Sequence, residues 1–300
     1  MDAHGRWGCA LAVLACLLLW FVLTEHGRRL KEGFEEKKQE FTLKKGTDVY
    51  DDFYVSVYDD LLYDELRNDF EIGTIINSTK PTQQSIILDI GSGTGHQAAA
   101  LHERGFNVAG LDVSPAMVAA ARKKHPGVTY RVGDALKGNT YPPSSFTHIT
   151  CMYFTVYYVR NKRQFFTNCY TWLKPGGYLV LHLVDRSRFD PIVPAGSVIA
   201  VVDPQNYARE RITRTKVEFD KESYTADFAL DEKSDEATFT EIFRGSDTGR
   251  VRKNEHQLYM PTQKEVIRLA REAGFILISK SHMDSCGYID QYMYVLQKPG

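Results

Sequence analysis

"SIILDIGSGTGHQAAALHERGFNVAGLDVS" occupies residues 85–114, and its reading decides the fold. An apolar run of strand length carries Asp89 near its end. Glycines follow at alternate positions, 91, 93 and 95. A helix-forming run then closes at Gly105, and a second apolar run ends at Asp112. Bare backbone between two carboxylates lets a ligand approach the main chain without Cβ clashes. In an open parallel sheet such a turn lies beyond the carboxyl end of a strand, where ligands bind. Two common occupants are disfavoured by the spacing. Counted from Gly91, the dinucleotide fingerprint needs glycine where His96 stands. A phosphate loop needs Gly-Lys-Ser/Thr, which does not follow.

The same rhythm continues downstream. Ser114-Pro115 sets a cap residue before a first-turn proline and opens a helix over 116–124. "VTYRV" (128–132) and "FTHITCM" (146–152) read as strands, 161–172 as a helix and "GGYLVLHLV" (176–184) as the fifth strand. Right-handed βαβ units, a parallel sheet and helices on both faces are expected. The rhythm breaks over about 186–260, where alternating β-branched pieces predict an antiparallel β insertion with a hairpin turn at "GSDTG". Thr262 and Glu265 have capping-box spacing before a helix that ends at Gly274. The last two strands, over 275–283 and 288–298, are close enough to pair antiparallel.

Composition narrows the class. The 300 residues carry a formal charge of −1 with a pI of about 6.8, so no nucleic-acid partner is expected. None of the five cysteines forms a CxxC pair, and the three outside the N-terminal run read as buried, reduced thiols. Residues 7–23, "WGCALAVLACLLLWFVL", are uncharged and long enough to span a bilayer, with no small-residue cleavage site after them. Arg28, Arg29 and Lys31 follow the span, which places the remainder of the chain on the cytosolic side of the membrane. The expected organisation is therefore a transmembrane helix over 1–24, a charged linker over 25–48 and an α/β domain over 49–300.

Four segments, in this order, resemble the motifs of the class I S-adenosylmethionine-dependent methyltransferases: "ILDIGSGTG" (87–95), Asp112, "VGDAL" (132–136) and "LKPGGYLVL" (173–181). The resemblance covers roughly residues 48–299. It implies a Rossmann-like sheet of seven mostly parallel strands, the last antiparallel and inserted between the fifth and sixth. It also implies S-adenosylmethionine as cofactor and no metal. Carried over residue by residue, it implies cofactor contacts at Asp89, Gly91, Ser92, Gly93, Gly95, Asp112, Asp134, Ala135 and Met152. Asp112 is the acid expected to accept both ribose hydroxyls, and Asp134 the one facing the adenine amine. Asp89 is open between ordering the glycine loop, meeting the cofactor ammonium through water, and capping.

Methyl transfer is an in-line displacement, so the protein mainly aligns nucleophile, methyl and sulfur. Candidates for the acceptor side are Tyr153, Tyr157 and Tyr158 after the fourth strand and His256 in the insertion, with packing as the alternative for each. Tyr50, Tyr54 and Tyr58 share one helical face, and His182 reads as a core histidine. Nothing after the fourth strand resembles the Asn-Pro-Pro-Tyr motif of base-amine methylation. The place of the insertion is similar to that in glycine and amino-sugar N-methyltransferases. A small-molecule acceptor is expected, nitrogen ahead of oxygen. A lipid headgroup, a protein acceptor, a non-catalytic binding module and a nicotinamide oxidoreductase are the alternatives.

Overall fold

The structure is a computed structural model, and it describes residues 40–191, 211–218, 222–246 and 248–300. The apolar stretch 7–23 lies outside the described residues, and with it the expected anchor. Among the described residues no helix is long and apolar enough to cross a membrane.

The central sheet is built from β2 (Ile86–Ile90), β3 (Asn107–Asp112), β4 (Thr129–Val132), β5 (Phe146–Cys151), β6 (Leu173–Val184), β11 (Ile276–Met283) and β12 (Tyr288–Gln297). Its order is β11-β12-β6-β5-β2-β3-β4. The pairings from β4 to β6 are parallel, and β12 runs antiparallel to both neighbours. Strand order therefore reverses between β2 and β5, and the glycine turn after β2 sits at that switch point.

Each face of the sheet has its own apolar layer. Helices α2 (Glu65–Thr79), α3 (His96–Glu103) and α4 (Pro115–Lys124) cover one face through Ile72, Ile75, Leu101, Val118 and Ala121. Helices α6 (Lys162–Trp172) and α7 (Gln263–Glu272) cover the other through Phe165, Phe166, Trp172, Val266 and Ala270. Local chemistry sets the helix starts. Ser114 Oγ accepts from Met117 N–H at 3.1 Å with Pro115 in the first turn, and Asp64 Oδ1 accepts from Arg67 N–H at 3.0 Å.

The insertion folds as an antiparallel meander, β7 (Arg214–Glu218), β8 (Glu222–Asp231), β9 (Glu236–Gly245) and β10 (Val251–Tyr259). One expectation is corrected here. Residues 41–45, read as part of a charged linker over 25–48, form strand β1 (Phe41–Lys45), which adds to β10 in parallel. The two lysines of this strand are paired: Lys45 Nζ lies 2.6 Å from Glu255, and Lys44 Nζ 3.2 Å from Asp51. Lysines on an exposed edge strand also discourage further strand pairing.

Between β1 and the central sheet runs α1 (Asp52–Leu62), capped by Asp51, whose Oδ1 accepts from Tyr54 N–H at 3.2 Å. Its inner face packs on the small sheet through Tyr54, Leu61, Tyr224, Ala226 and Phe243. Arg252 on β10 donates to Val49 O and Asp51 Oδ2, both at 2.9 Å, and ties the start of α1 to the insertion. Helix α1 and the small sheet together roof the carboxyl ends of β2, β3 and β5.

Candidate active site

Under that roof lies a cavity of about 230 Å³. Its floor is the glycine turn. Gly91 and Gly93 have φ of +71° and +53°, a region that favours glycine. A Cβ on Gly91 would fall 2.4 Å from Thr155 Cγ2, so this backbone is bare for steric reasons as well. Asp112 closes the turn against β3. Its Oδ2 accepts from Gly93 N–H at 2.9 Å and its Oδ1 from Ser114 N–H at 2.8 Å. Each oxygen keeps a lone pair for another donor, which suits a diol. Burial raises the Asp112 pKa, and the backbone N–H groups oppose the shift.

Two further carboxyls line the same cavity. Asp89 is 3% exposed and accepts from Thr150 Oγ1 at 2.8 Å across the β2–β5 pairing. Burial pushes its pKa up to about 7. Glu71 on α2 is 4% exposed, and burial pushes it to about 7 as well. Its Oε1 accepts no hydrogen bond and lies 3.9 Å from Arg67 Nε. The Arg67 guanidinium stands 4.3 Å from the centre of the Tyr153 ring and donates to Leu62 O at 2.8 Å. Desolvated acids beside one guanidinium match a ligand with an ammonium and a carboxylate. Ser92 Oγ is buried without a hydrogen-bond partner and also faces the cavity.

The roof is aromatic. Tyr50, Tyr54 and Tyr58 line the cavity, with ring centres 5.5 Å and 5.9 Å apart in edge-to-face contact. Tyr153 and Met152 reach it from the turn after β5, and Phe228, Phe239 and His256 from the insertion. Tyr153 has φ of +49°, a strained conformation for tyrosine that costs about 1–3 kcal/mol. At the mouth, Asp59 accepts from Thr94 Oγ1 at 2.6 Å, from His96 Nε2 at 2.8 Å and from Lys124. Burial works to raise the Asp59 pKa, and these bonds outweigh it to hold the carboxyl below its usual range. They clamp α1 onto the starts of α3 and the end of α4.

Several expected residues sit elsewhere. Tyr157, on the short helix α5 (Thr155–Tyr158), is fully buried in the core, and its hydroxyl accepts from Val184 N–H at 2.8 Å. It is a packing residue, outside the cavity lining. Asp134 and Ala135 also lie outside the lining. Asp134 Oδ1 accepts from Leu136 N–H at 2.8 Å, and Ala135 O accepts from Asn168 Nδ2 at 2.8 Å. Gly95 starts α3 rather than lining the cavity. A Cβ there would lie 2.5 Å from Tyr130 Oη, so its bareness serves helix–strand packing. Asp89, Gly91, Ser92, Gly93, Asp112, Met152, Tyr153 and His256 do converge on the cavity. His182 is buried in β6, with its pKa lowered to about 3 by desolvation. Arg67 and Glu71 went unrecognised; an Arg and a Glu four apart on one helix face was the only available signal, and it reads equally as a surface pair.

Residues 88–181 match a family profile described as "Methyltransferase domain". That span is similar to methyltransferase domains. Ubiquinone biosynthesis O-methyltransferase of Xanthomonas campestris pv. campestris (strain B100) is 32% identical over 127 residues, 41% of this chain and 50% of that protein. The chain thus spans about half the length of the curated relatives it matches. A S-adenosylmethionine-dependent methyltransferase from Clostridium acetobutylicum ATCC 824 shares the fold, with a TM-score of 0.63 at 16% identity over 83% of this chain and 98% of that one. So does the S-adenosylmethionine-bound amino pentose methyltransferase CalS10 from Micromonospora echinaspora, with a TM-score of 0.57 at 19% identity over 82% and 96%. The matched span contains the glycine turn, Asp112 and the residues after β5. S-adenosylmethionine is the cofactor these findings support, and the donor set of the cavity fits it.

Proposed function

We propose that the protein transfers a methyl group from S-adenosylmethionine to a small-molecule acceptor held beneath the β insertion, nitrogen ahead of oxygen. One observation carries this reading: a single cavity is lined on one side by the glycine turn and Asp112 and on the other by aromatic side chains of α1, α5 and the insertion. The bound cofactor supplies a methyl carbon on a cationic sulfur, open to displacement by a nucleophile. In the proposed assignment Asp112 accepts the ribose hydroxyls. Asp89 and Glu71 face the ammonium, Arg67 faces the carboxylate, and the bare backbone of Gly91 and Gly93 admits the ligand. Tyr153 and the other tyrosines exclude water and offer π faces, each worth about 0.5–2 kcal/mol toward a cation. That feature favours nitrogen over oxygen.

Incubation with radiolabelled-methyl S-adenosylmethionine and a cell extract, then fractionation into metabolites, lipids and protein, tests the proposal. Label is expected in the small-molecule fraction. Label confined to lipid or protein, or no transfer by folded protein, contradicts it. We further propose membrane anchorage through residues 7–23 with the domain in the cytosol. The support is the apolar run and the basic residues after it. Asn77, in an Asn-Ser-Thr sequon, is exposed on α2. It is expected to stay unglycosylated in a membrane expression system, and glycosylation there contradicts the orientation.

A further inference from the structure

Behind the aromatic roof lies a buried chain of polar groups that the cofactor assignment does not use. Glu241 on β9 is fully buried. Its Oε1 accepts from Tyr224 Oη at 2.8 Å, and its Oε2 from Asn254 Nδ2 at 3.2 Å. The same Oε2 lies 2.8 Å from His256 Nε2. His256 is 1% exposed, and its Nδ1 lies 2.9 Å from Tyr158 Oη. The Tyr50 ring in turn meets the Tyr158 ring edge to face, with centres 5.9 Å apart. His256, Tyr158 and Tyr50 line the cavity, whereas Glu241, Tyr224 and Asn254 do not.

The order of these groups has a direction. Burial alone would raise the Glu241 pKa, but the hydrogen bonds from His256, Tyr224 and Asn254 hold it below the usual range, so the carboxylate is charged. An ionised Glu241 makes Nε2 the donor nitrogen and leaves Nδ1 to accept from Tyr158. The three partners of Glu241 include no lysine or arginine. The groups that face His256 from the elements around it are Glu241 and Phe239 of β9, Tyr50 just before α1, Tyr54 of α1 and Tyr158 of α5. None of them supplies a positive charge; Arg252 reaches the chain only through Asn254 Oδ1, at 2.8 Å, and is itself paired with Asp51.

Resting on the methyltransferase reading, we infer that Glu241, His256 and Tyr158 form the acceptor-side base, and that the acceptor is an amine that enters as its ammonium. The ammonium N–H donates to Tyr158 Oη. As the N–H bond breaks, its electron pair remains on nitrogen as the nucleophilic lone pair. Its proton goes to Tyr158 Oη, and the Tyr158 hydroxyl proton goes to His256 Nδ1. The imidazolium so formed lies against Glu241, and it later releases its proton to solvent. Tyr158 is the group that touches the acceptor, and Glu241 acts as a positioning residue through His256.

The test uses protein saturated with S-adenosylhomocysteine and two calorimetric probes, choline and its uncharged isostere 3,3-dimethylbutan-1-ol. Choline is expected to bind at least about tenfold more tightly than the alcohol. Glu241→Gln, which keeps the side-chain shape, is expected to erase most of that preference. Choline affinity is also expected to fall as the pH is lowered, because a proton taken up by the Glu241–His256 pair cancels the roof charge. In His256→Gln it is expected to be flat with pH. Equal binding of the two probes to wild type, or a pH dependence that survives in His256→Gln, overturns the inference. Failure of folded wild type to bind S-adenosylhomocysteine overturns the methyltransferase reading itself, and is seen before either probe is added.

Discussion

The floor and the roof of the cavity are built by different means. The floor is backbone: a short contiguous turn whose glycines and Asp112 meet through N–H groups. The roof is side chains drawn from three distant parts of the chain, with Tyr50, Tyr158 and His256 within contact of one another. A cofactor common to many reactions can be held by fixed main-chain geometry. An acceptor peculiar to one reaction needs surfaces that vary, and an insertion outside the central sheet can vary without disturbing it.

The largest expected effect falls on the floor. Gly91→Val places a β-branched residue at φ +71° with its Cβ against Thr155. A loss of about 3 kcal/mol in denaturant unfolding is expected, together with loss of S-adenosylhomocysteine binding. Full binding by this variant would break the claim that the floor must be bare. On the roof, Glu241→Ala leaves Tyr224, Asn254 and His256 without their common partner. It is expected to destabilise by about 2 kcal/mol. Cofactor-product affinity should change less than about twofold, because Glu241 is outside the lining. A collapse of that affinity in folded protein would show that floor and roof are one unit.

A pH series sharpens the contrast from the floor side. Asp89 and Glu71 have folded pKa values raised to about 7 by burial. Between the ordinary carboxylate range and about pH 7 the folded state therefore binds more protons than the unfolded state. Stability present at low pH is lost as pH rises through that window and is flat above it. Thermal unfolding of the ligand-free protein should follow this curve, and Asp89→Asn should flatten part of it. Binding of a ligand ammonium reverses the sign locally. S-adenosylhomocysteine binding near pH 6 is expected to release protons, seen as buffer-dependent heats. The smallest effect is that of Tyr157→Phe, which removes one acceptor from Val184 N–H. About 1 kcal/mol of stability should be lost with no change in ligand binding.

The same contrast accounts for what could be read from the sequence. The alternation of strands and helices, the turn after β2 and the acid ending β3 were legible, because each is encoded within a few consecutive residues. The reversed last strand followed from the family resemblance and is the observed β12. Strand β1 was not legible, since its partner is β10, some two hundred residues away, and its lysines mimic a solvated spacer. Tyr153 and Tyr157 were indistinguishable as tyrosines after a strand. They diverge because α5 turns Tyr157 into the core, while the strained backbone of Tyr153 directs it to the cavity. His256 was legible as a candidate only through its place in the insertion. Its partner Tyr158 was a candidate for the same kind of reason, its place after a strand, whereas Glu241 comes from another element and carries no local signal.

Calorimetry of S-adenosylhomocysteine binding to wild type and to Asp112→Ala tests the central claim most directly. Two charge-assisted hydrogen bonds to a ribose diol are together worth about 3 kcal/mol or more. Saturable binding by wild type and a loss of roughly a hundredfold or more in the variant are therefore predicted. No binding by folded wild type, or equal binding by a folded Asp112→Ala variant, would contradict the account.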